Sequence, residues 1–198
     1  MGQKRPPTYT EQGEDTRTCK HDATHKETRP IPQLTYTAPS ITELGTWLTS
    51  QPANTADTAY RVVLNVNDIS NIRTTLNAAP NKYVYLDLSG STITTIPEFA
   101  FNTGPTGNPA LTGCTTLTGI ILPNSVTSIG DRAFQRCTSL TSVTFAGTIP
   151  SSGLSQNAFN GIGDLRAKFY ATNASNGTPG TYTTTAPVGE NSVWTKQN

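Results

Sequence analysis

The stretch Cys114-Thr115-Thr116-Leu117-Thr118-Gly119-Ile120-Ile121-Leu122 is matched, 23 positions later, by Cys137-Thr138-Ser139-Leu140-Thr141-Ser142-Val143-Thr144-Phe145. Leu117, Ile120 and Leu122 align with Leu140, Val143 and Phe145, so an L-x-x-L-x-L arrangement recurs at a fixed period. A recurrence of this kind outranks local readings of the chain. Each copy is too short to bury its own apolar side, which only a neighbouring copy can cover.

Working outward, Ile93-Thr94-Thr95-Ile96-Pro97-Glu98-Phe99-Ala100-Phe101 aligns with Val126-Thr127-Ser128-Ile129-Gly130-Asp131-Arg132-Ala133-Phe134 at an offset of 33, and Ala158-Phe159 continues the series. The excess in the earlier unit is the Gly/Pro-rich run Asn102-Thr103-Gly104-Pro105-Thr106-Gly107-Asn108-Pro109, which reads as a loop bulging from one coil. Upstream, the β-branched segment Tyr60–Val66 reads as a strand, Asp68 as the cap of a helix carrying Ile69, Ile72 and Leu76, and Tyr83–Leu88 as a second strand. Leu64/Val66 align with Leu86/Leu88 at an offset of 22. Two strands joined through a helix imply a right-handed parallel crossover. Ser40-Ile41-Thr42-Glu43 fits a capping box ahead of Leu44 and Leu48, which predicts a helix over about 40–50.

Periods near 22–25 fall in the leucine-rich-repeat range of roughly 20–29 residues. The expected fold class is therefore an α/β repeat: a right-handed leucine-rich-repeat solenoid with a parallel β-sheet on one face, helical N-terminal coils and an irregular C-terminal cap. The expected organisation is a polar arm or linker over 1–36 and a single repeat domain over 37–198. That domain divides into an N-terminal helical cap (37–58), repeats (59–170) and a C-terminal cap (171–198).

Composition narrows the function. The 198 residues carry a formal net charge of +1 and are only 14% charged, which points away from nucleic acid and anionic membranes. No run approaches the roughly 20 apolar residues of a membrane span, so no transmembrane segment is expected. The start MGQKRPPTYT lacks the apolar core of a signal peptide, so an exported form of this protein is expected to have lost its leader.

Alternation along L-x-x-L-x-L strands sends the intervening residues outward. Val63 and Asn65, Tyr85 and Asp87, Gly119 and Ile121, and Ser142 and Thr144 are expected to line one face. Val63, Tyr85 and Ile121 are its apolar members, and an exposed apolar patch marks a contact surface. The partner-binding set is thus Val63, Asn65, Tyr85, Asp87, Ile121, Ser142 and Thr144, facing a protein or other apolar ligand. Self-association through the same face, giving a homo-oligomer, is the alternative, and cover by the N-terminal arm is a third reading.

Chemistry-bearing motifs are scarce. Cys19-Lys20-His21-Asp22-Ala23-Thr24-His25 holds both histidines. His21-x-x-x-His25 resembles metalloprotease spacing, with Asp22 where a glutamate would stand. Such chemistry needs both rings on one helix face and a third ligand, and Thr24, Thr28, Pro30 and Pro32 oppose that helix. No metal site is assigned, Cys19, His21 and His25 being the candidates, and a metal-dependent hydrolase is kept as a minor alternative. Gly161-Ile162-Gly163 lacks its third glycine, and Asp87, Glu98 and Asp131 are scattered. Outside the arm no histidine serves as a base. No cofactor is expected. Cys114 and Cys137 occupy equivalent corners, as buried reduced thiols or, at a rung spacing near ~4.8 Å, as a disulfide. Asn173-Ala174-Ser175 and Asn176-Gly177-Thr178 match glycosylation sequons in a turn-rich segment.

The residues 122–134, Leu-Pro-Asn-Ser-Val-Thr-Ser-Ile-Gly-Asp-Arg-Ala-Phe, followed by Cys137–Val143, resemble the BspA-like leucine-rich repeats of bacterial surface proteins, particularly the treponemal type. The resemblance spans about residues 83–170. Gly180–Thr183 and Val193–Gln197 are also similar to the tails of treponemal members. It implies a secreted, periplasmic or cell-surface protein with a role in adhesion to host components or other bacteria, and it supplies no catalytic residues. The functional expectation is a non-catalytic protein-interaction module that binds its partner through a concave sheet face.

Overall fold

A computed structural model describes residues 3–22, 24–102 and 113–198. The chain opens with a polar meander: β1 (Gln3–Arg5), β2 (Gly13–Thr18) and β3 (Lys26–Ile31) pair antiparallel as a separate three-stranded sheet. It then builds a seven-stranded sheet. β4 (Thr35–Ala38), β5 (Tyr60–Leu64), β6 (Val84–Asp87), β8 (Leu117–Leu122) and β10 (Ser142–Phe145) lie side by side in parallel. β11 (Gly180–Thr183) and β12 (Thr195–Lys196) extend that sheet antiparallel. A second ladder on the return side pairs β7 (Thr95–Ile96) with β9 (Ser128–Ile129), and Ile129 bridges on to Leu154.

Three short helices complete the described residues: α1 (Ile41–Ser50), α2 (Ile72–Asn77) and α3 (Leu165–Tyr170). Ser40 caps α1, its hydroxyl accepting from the Glu43 amide at 3.1 Å, and Leu44 and Leu48 are the buried side of that helix. Asp68 does not cap α2. That helix starts after Asn71, and Asp68 instead accepts from the Ser70 amide at 2.9 Å, closing the turn ahead of it.

These arrangements correct the expected fold class. The architecture is β-dominated, with antiparallel and mixed sheets and few helices, and it is not the right-handed parallel solenoid anticipated from the repeats. The finding that overturns it is the pairing at both ends of the chain. β11 and β12 run antiparallel to their neighbours, and β1–β3 form an antiparallel meander of their own. A physical reason is available at the C-terminal end. After β10 the sheet would stop at an open edge, and a strand returning from α3 covers that edge by pairing antiparallel. Gly177, at φ +70, makes the turn before β11, where an added Cβ would lie 1.9 Å from the Phe169 ring. Phe145 packs on Phe169 at 4.2 Å, Tyr182 meets Phe145 edge-on at 5.8 Å, and the Trp194 indole donates to the Ile162 carbonyl at 2.7 Å.

Register can be compared with the repeat offsets. Ile120 faces Val143 and Ile96 faces Ile129, reproducing the offsets of 23 and 33. Between β5 and β6 the pairing is Val62 with Leu86, a step of 24 in place of the expected 22. Both steps are even, so both keep apolar side chains inward, and alternation alone does not separate them. Inside, Leu64, Leu86, Ile120 and Val143 are fully buried. Phe101, Phe134 and Phe159 stack at 4.8 and 5.3 Å along the return side, and the amides of Phe101 and Phe134 donate to carbonyls of the next rung. The loop expected over 102–109 lies, from residue 103, outside the described residues, and its flanks Asn102 and Gly113 form an antiparallel bridge.

Candidate functional site

Sheet register assembles the outward face. One row runs Thr35, Arg61, Tyr85, Gly119, Ser142, Thr183, and the next runs Thr37, Val63, Asp87, Ile121, Thr144, Thr181. Neighbouring strands stand about 4.8 Å apart, so each row is a line of side chains in contact range. Val63, Tyr85, Asp87, Ile121, Ser142 and Thr144 are half-buried, and Asn65, just beyond β5, is exposed.

The structure therefore brings the expected residues onto one surface, with one change of neighbours. Tyr85 does not stand between Val63 and Ile121, because those two flank Asp87. Tyr85 instead lies between Arg61 and Gly119. A Cβ at position 119 would fall 2.4 Å from two carbons of the Tyr85 ring, so the ring rests on the backbone of Gly119. Close backbone approach of this kind is what an in-strand glycine allows. The Arg61 guanidinium sits 5.1 Å from the ring centroid, a cation–π distance.

Hydrogen bonds hold the flanks of the face. Asp87 accepts from the Ser89 amide at 2.8 Å, which closes the turn after β6. The Thr144 and Thr181 hydroxyls meet at 2.8 Å across β10 and β11. Asn65 lies against Gly90, where an added Cβ would be 2.3 Å from its side-chain oxygen. Sequence reasoning missed Arg61 and the threonines of β4 and β11. The signal was present for Arg61, since Tyr60, Val62 and Leu64 turn inward and alternation sends Arg61 out beside Val63.

The other sequence candidates lie elsewhere. Cys19, His21 and His25 occupy the turn between β2 and β3, where the Cys19 amide donates to the His25 carbonyl at 3.0 Å. This is a hairpin tip, so the two histidines do not share a helix face. Asp22 accepts from the Thr24 hydroxyl at 2.6 Å and its amide at 2.9 Å, and these bonds hold its carboxyl below the usual value. Among the described residues no group of three His, Cys, Asp or Glu side chains is placed to hold a metal ion.

Cys114 and Cys137 are free and buried at adjacent corners. The Cys114 thiol lies 3.6 Å from the Thr116 hydroxyl, and the Cys137 thiol donates to the Phe101 carbonyl at 3.4 Å. Burial raises both thiols above the ordinary value, Cys137 well above it, with the neighbouring Cys114 adding to the rise. Such thiols are poor nucleophiles. Asp131 accepts from Ser155 and Asn157 at 3.0 and 2.9 Å, on the return side and away from the face. Among the described residues no helix is long and apolar enough to cross a membrane.

Residues 104–178 match the BspA type leucine rich repeat region in six copies. This is the family that the repeat motif resembles, and repeat regions of this type are generally non-enzymatic and suited to protein interaction. No curated protein matches the chain.

Proposed function

From a chain whose residues 104–178 are a BspA type leucine-rich-repeat region, we propose a non-catalytic protein-interaction module of a bacterial surface or secreted protein. It engages its partner through the outward face of the seven-stranded sheet. The observation that carries this reading is Tyr85, laid on Gly119 beneath Arg61 at the middle of that face. Tyrosine and arginine are the residue types that concentrate binding energy at interfaces, above all where neighbours hold them in place. Val63 and Ile121 add apolar area beside Asp87, and Asn65, Ser142 and Thr144 supply a polar rim, the usual anatomy of a contact patch. Export to the surface is the localisation that goes with this family of repeats.

The test compares wild type with Tyr85→Glu and Ile121→Glu as baits against host and bacterial surface extracts. Each variant is expected to lose captured partners by about 10-fold or more, the effect of disturbing an interface anchor. Equal recovery by all three folded baits would overturn the assignment of the face.

A further inference from the structure

We propose that the sheet face is self-complementary and that its partner is a second copy of this chain; the inference rests on the reading of that face as the contact surface. Among the outward residues of the seven strands, Arg61 and Asp87 are the charged ones, and every other outward position is a threonine, serine, glycine, tyrosine or aliphatic residue. Lys196 pairs with the inward Tyr182 and so belongs to the opposite side of the sheet. Arg61 and Asp87 stand on adjacent strands, Arg61 opposite Tyr85 and Asp87 opposite Val63, and are therefore diagonal neighbours about 7–8 Å apart. Neither forms an ion pair among the described residues; Arg61 rests over the Tyr85 ring and Asp87 caps the Ser89 turn.

One cation and one anion side by side on a neutral surface form a pattern that a two-fold axis exchanges. With the axis lying between two apposed sheets and bisecting the Arg61–Asp87 line, each Arg61 meets the second copy's Asp87, and the dimer carries two reciprocal ion pairs. A closed isologous contact needs only this, the same patch on both sides. A different partner would have to supply the opposite pair at the same diagonal spacing. Tyr85, Val63 and Ile121 flank the exchanged charges and supply the apolar area that closes around them.

The face is small. Seven strands about 4.8 Å apart and about four residues deep place it at the lower end of specific interfaces, so the dimer is weak and depends on concentration. Sedimentation and light scattering from about 1 μM to 1 mM are the measurements. Wild type is expected to self-associate across this range, less so at high salt because the paired charges are screened. Arg61→Asp and Asp87→Arg each place like charges at both contacts, and each is expected to weaken self-association by about 10- to 100-fold. Mixed in equal amounts the two variants carry matched pairs again, and the mixture is expected to recover association as a heterodimer.

A wild type that stays monomeric throughout, variants that associate like wild type, or a mixture without recovery would each overturn the proposal. Circular dichroism establishes that the variants are folded, and the salt dependence of wild type tests the same pairing without any substitution. The two readings fail separately. A monomeric wild type whose captured partners vanish with Ile121→Glu removes the second copy and leaves the face, whereas equal capture by all baits with no self-association removes both.

Discussion

The N-terminal meander and the rungs from β6 to β10 are both β-structure, yet different interactions hold them. In the rungs Leu86, Ile120 and Val143 are fully buried, and Phe101, Phe134 and Phe159 stack behind them. In β2 only Gly13 is buried and the residues of β3 are exposed up to Ile31, so hydrogen bonds run between these strands with no apolar face beneath them. Such a sheet is marginal alone and needs something to pack against. It finds this at α1, where Tyr9 meets Trp47 edge-on at 5.3 Å, and at Leu34, whose amide donates to the Thr8 carbonyl at 2.9 Å. Trp47 is stacked in turn on Tyr36 at 4.1 Å. Secondary structure is thus a poor guide to local stability here, and burial is the better one.

The contrast between the two regions is largest at Phe134. Phe134→Ala opens a void in the middle of the stacked rings and is expected to cost about 3–5 kcal/mol, read as a drop in the chemical denaturation midpoint. In the meander, exposed Thr28→Ala is expected to stay within about 0.5 kcal/mol. Comparable losses at the two positions would show that burial is not what separates the regions.

The corner thiols sharpen the contrast through pH. Both are raised above the ordinary value of 9.0 in the folded chain, so the folded state holds protons that the unfolded chain gives up. Their contribution is complete below about pH 9 and is lost as the pH rises above it. The slope is up to about 1.4 kcal/mol per pH unit for each thiol. Denaturation curves from pH 8 to 10 are expected to show this fall, and Cys114→Ala/Cys137→Ala is expected to flatten it. An unchanged slope in that double variant would place the pH dependence elsewhere.

The smallest effect is expected at the clamp. Tyr9→Ala removes one edge-to-face ring pair, worth about 0.5–1.5 kcal/mol. Proteolysis within residues 10–33 is expected to accelerate by several-fold while the denaturation midpoint of the rungs hardly moves. A matched loss of both would mean that the meander and the rungs unfold as one unit.

Much of the rung geometry is legible in the amino-acid sequence. The 23-residue match of Cys114–Leu122 with Cys137–Phe145 and the 33-residue match of Ile93–Phe101 with Val126–Phe134 reappear as strand registers. The outward placement of Val63, Asp87, Ile121, Ser142 and Thr144 follows from the same alternation. The fold class departs from expectation because the repeats occupy the middle of the chain and say nothing of its ends. Neither the polar strands of the meander nor the return of β11 and β12 shows an apolar period that would announce it.

Sequence alone determined which side chains face inward along each rung and which rungs repeat, because a two-residue alternation and a fixed period are local properties of the chain. Tertiary structure decided what no local pattern encodes: the step of 24 between β5 and β6, the antiparallel strands at both ends, and the seat of Tyr85 on Gly119 under Arg61. Each of these depends on which distant segment arrives alongside. Packing and hydrogen bonding choose among partners that alternation leaves equivalent.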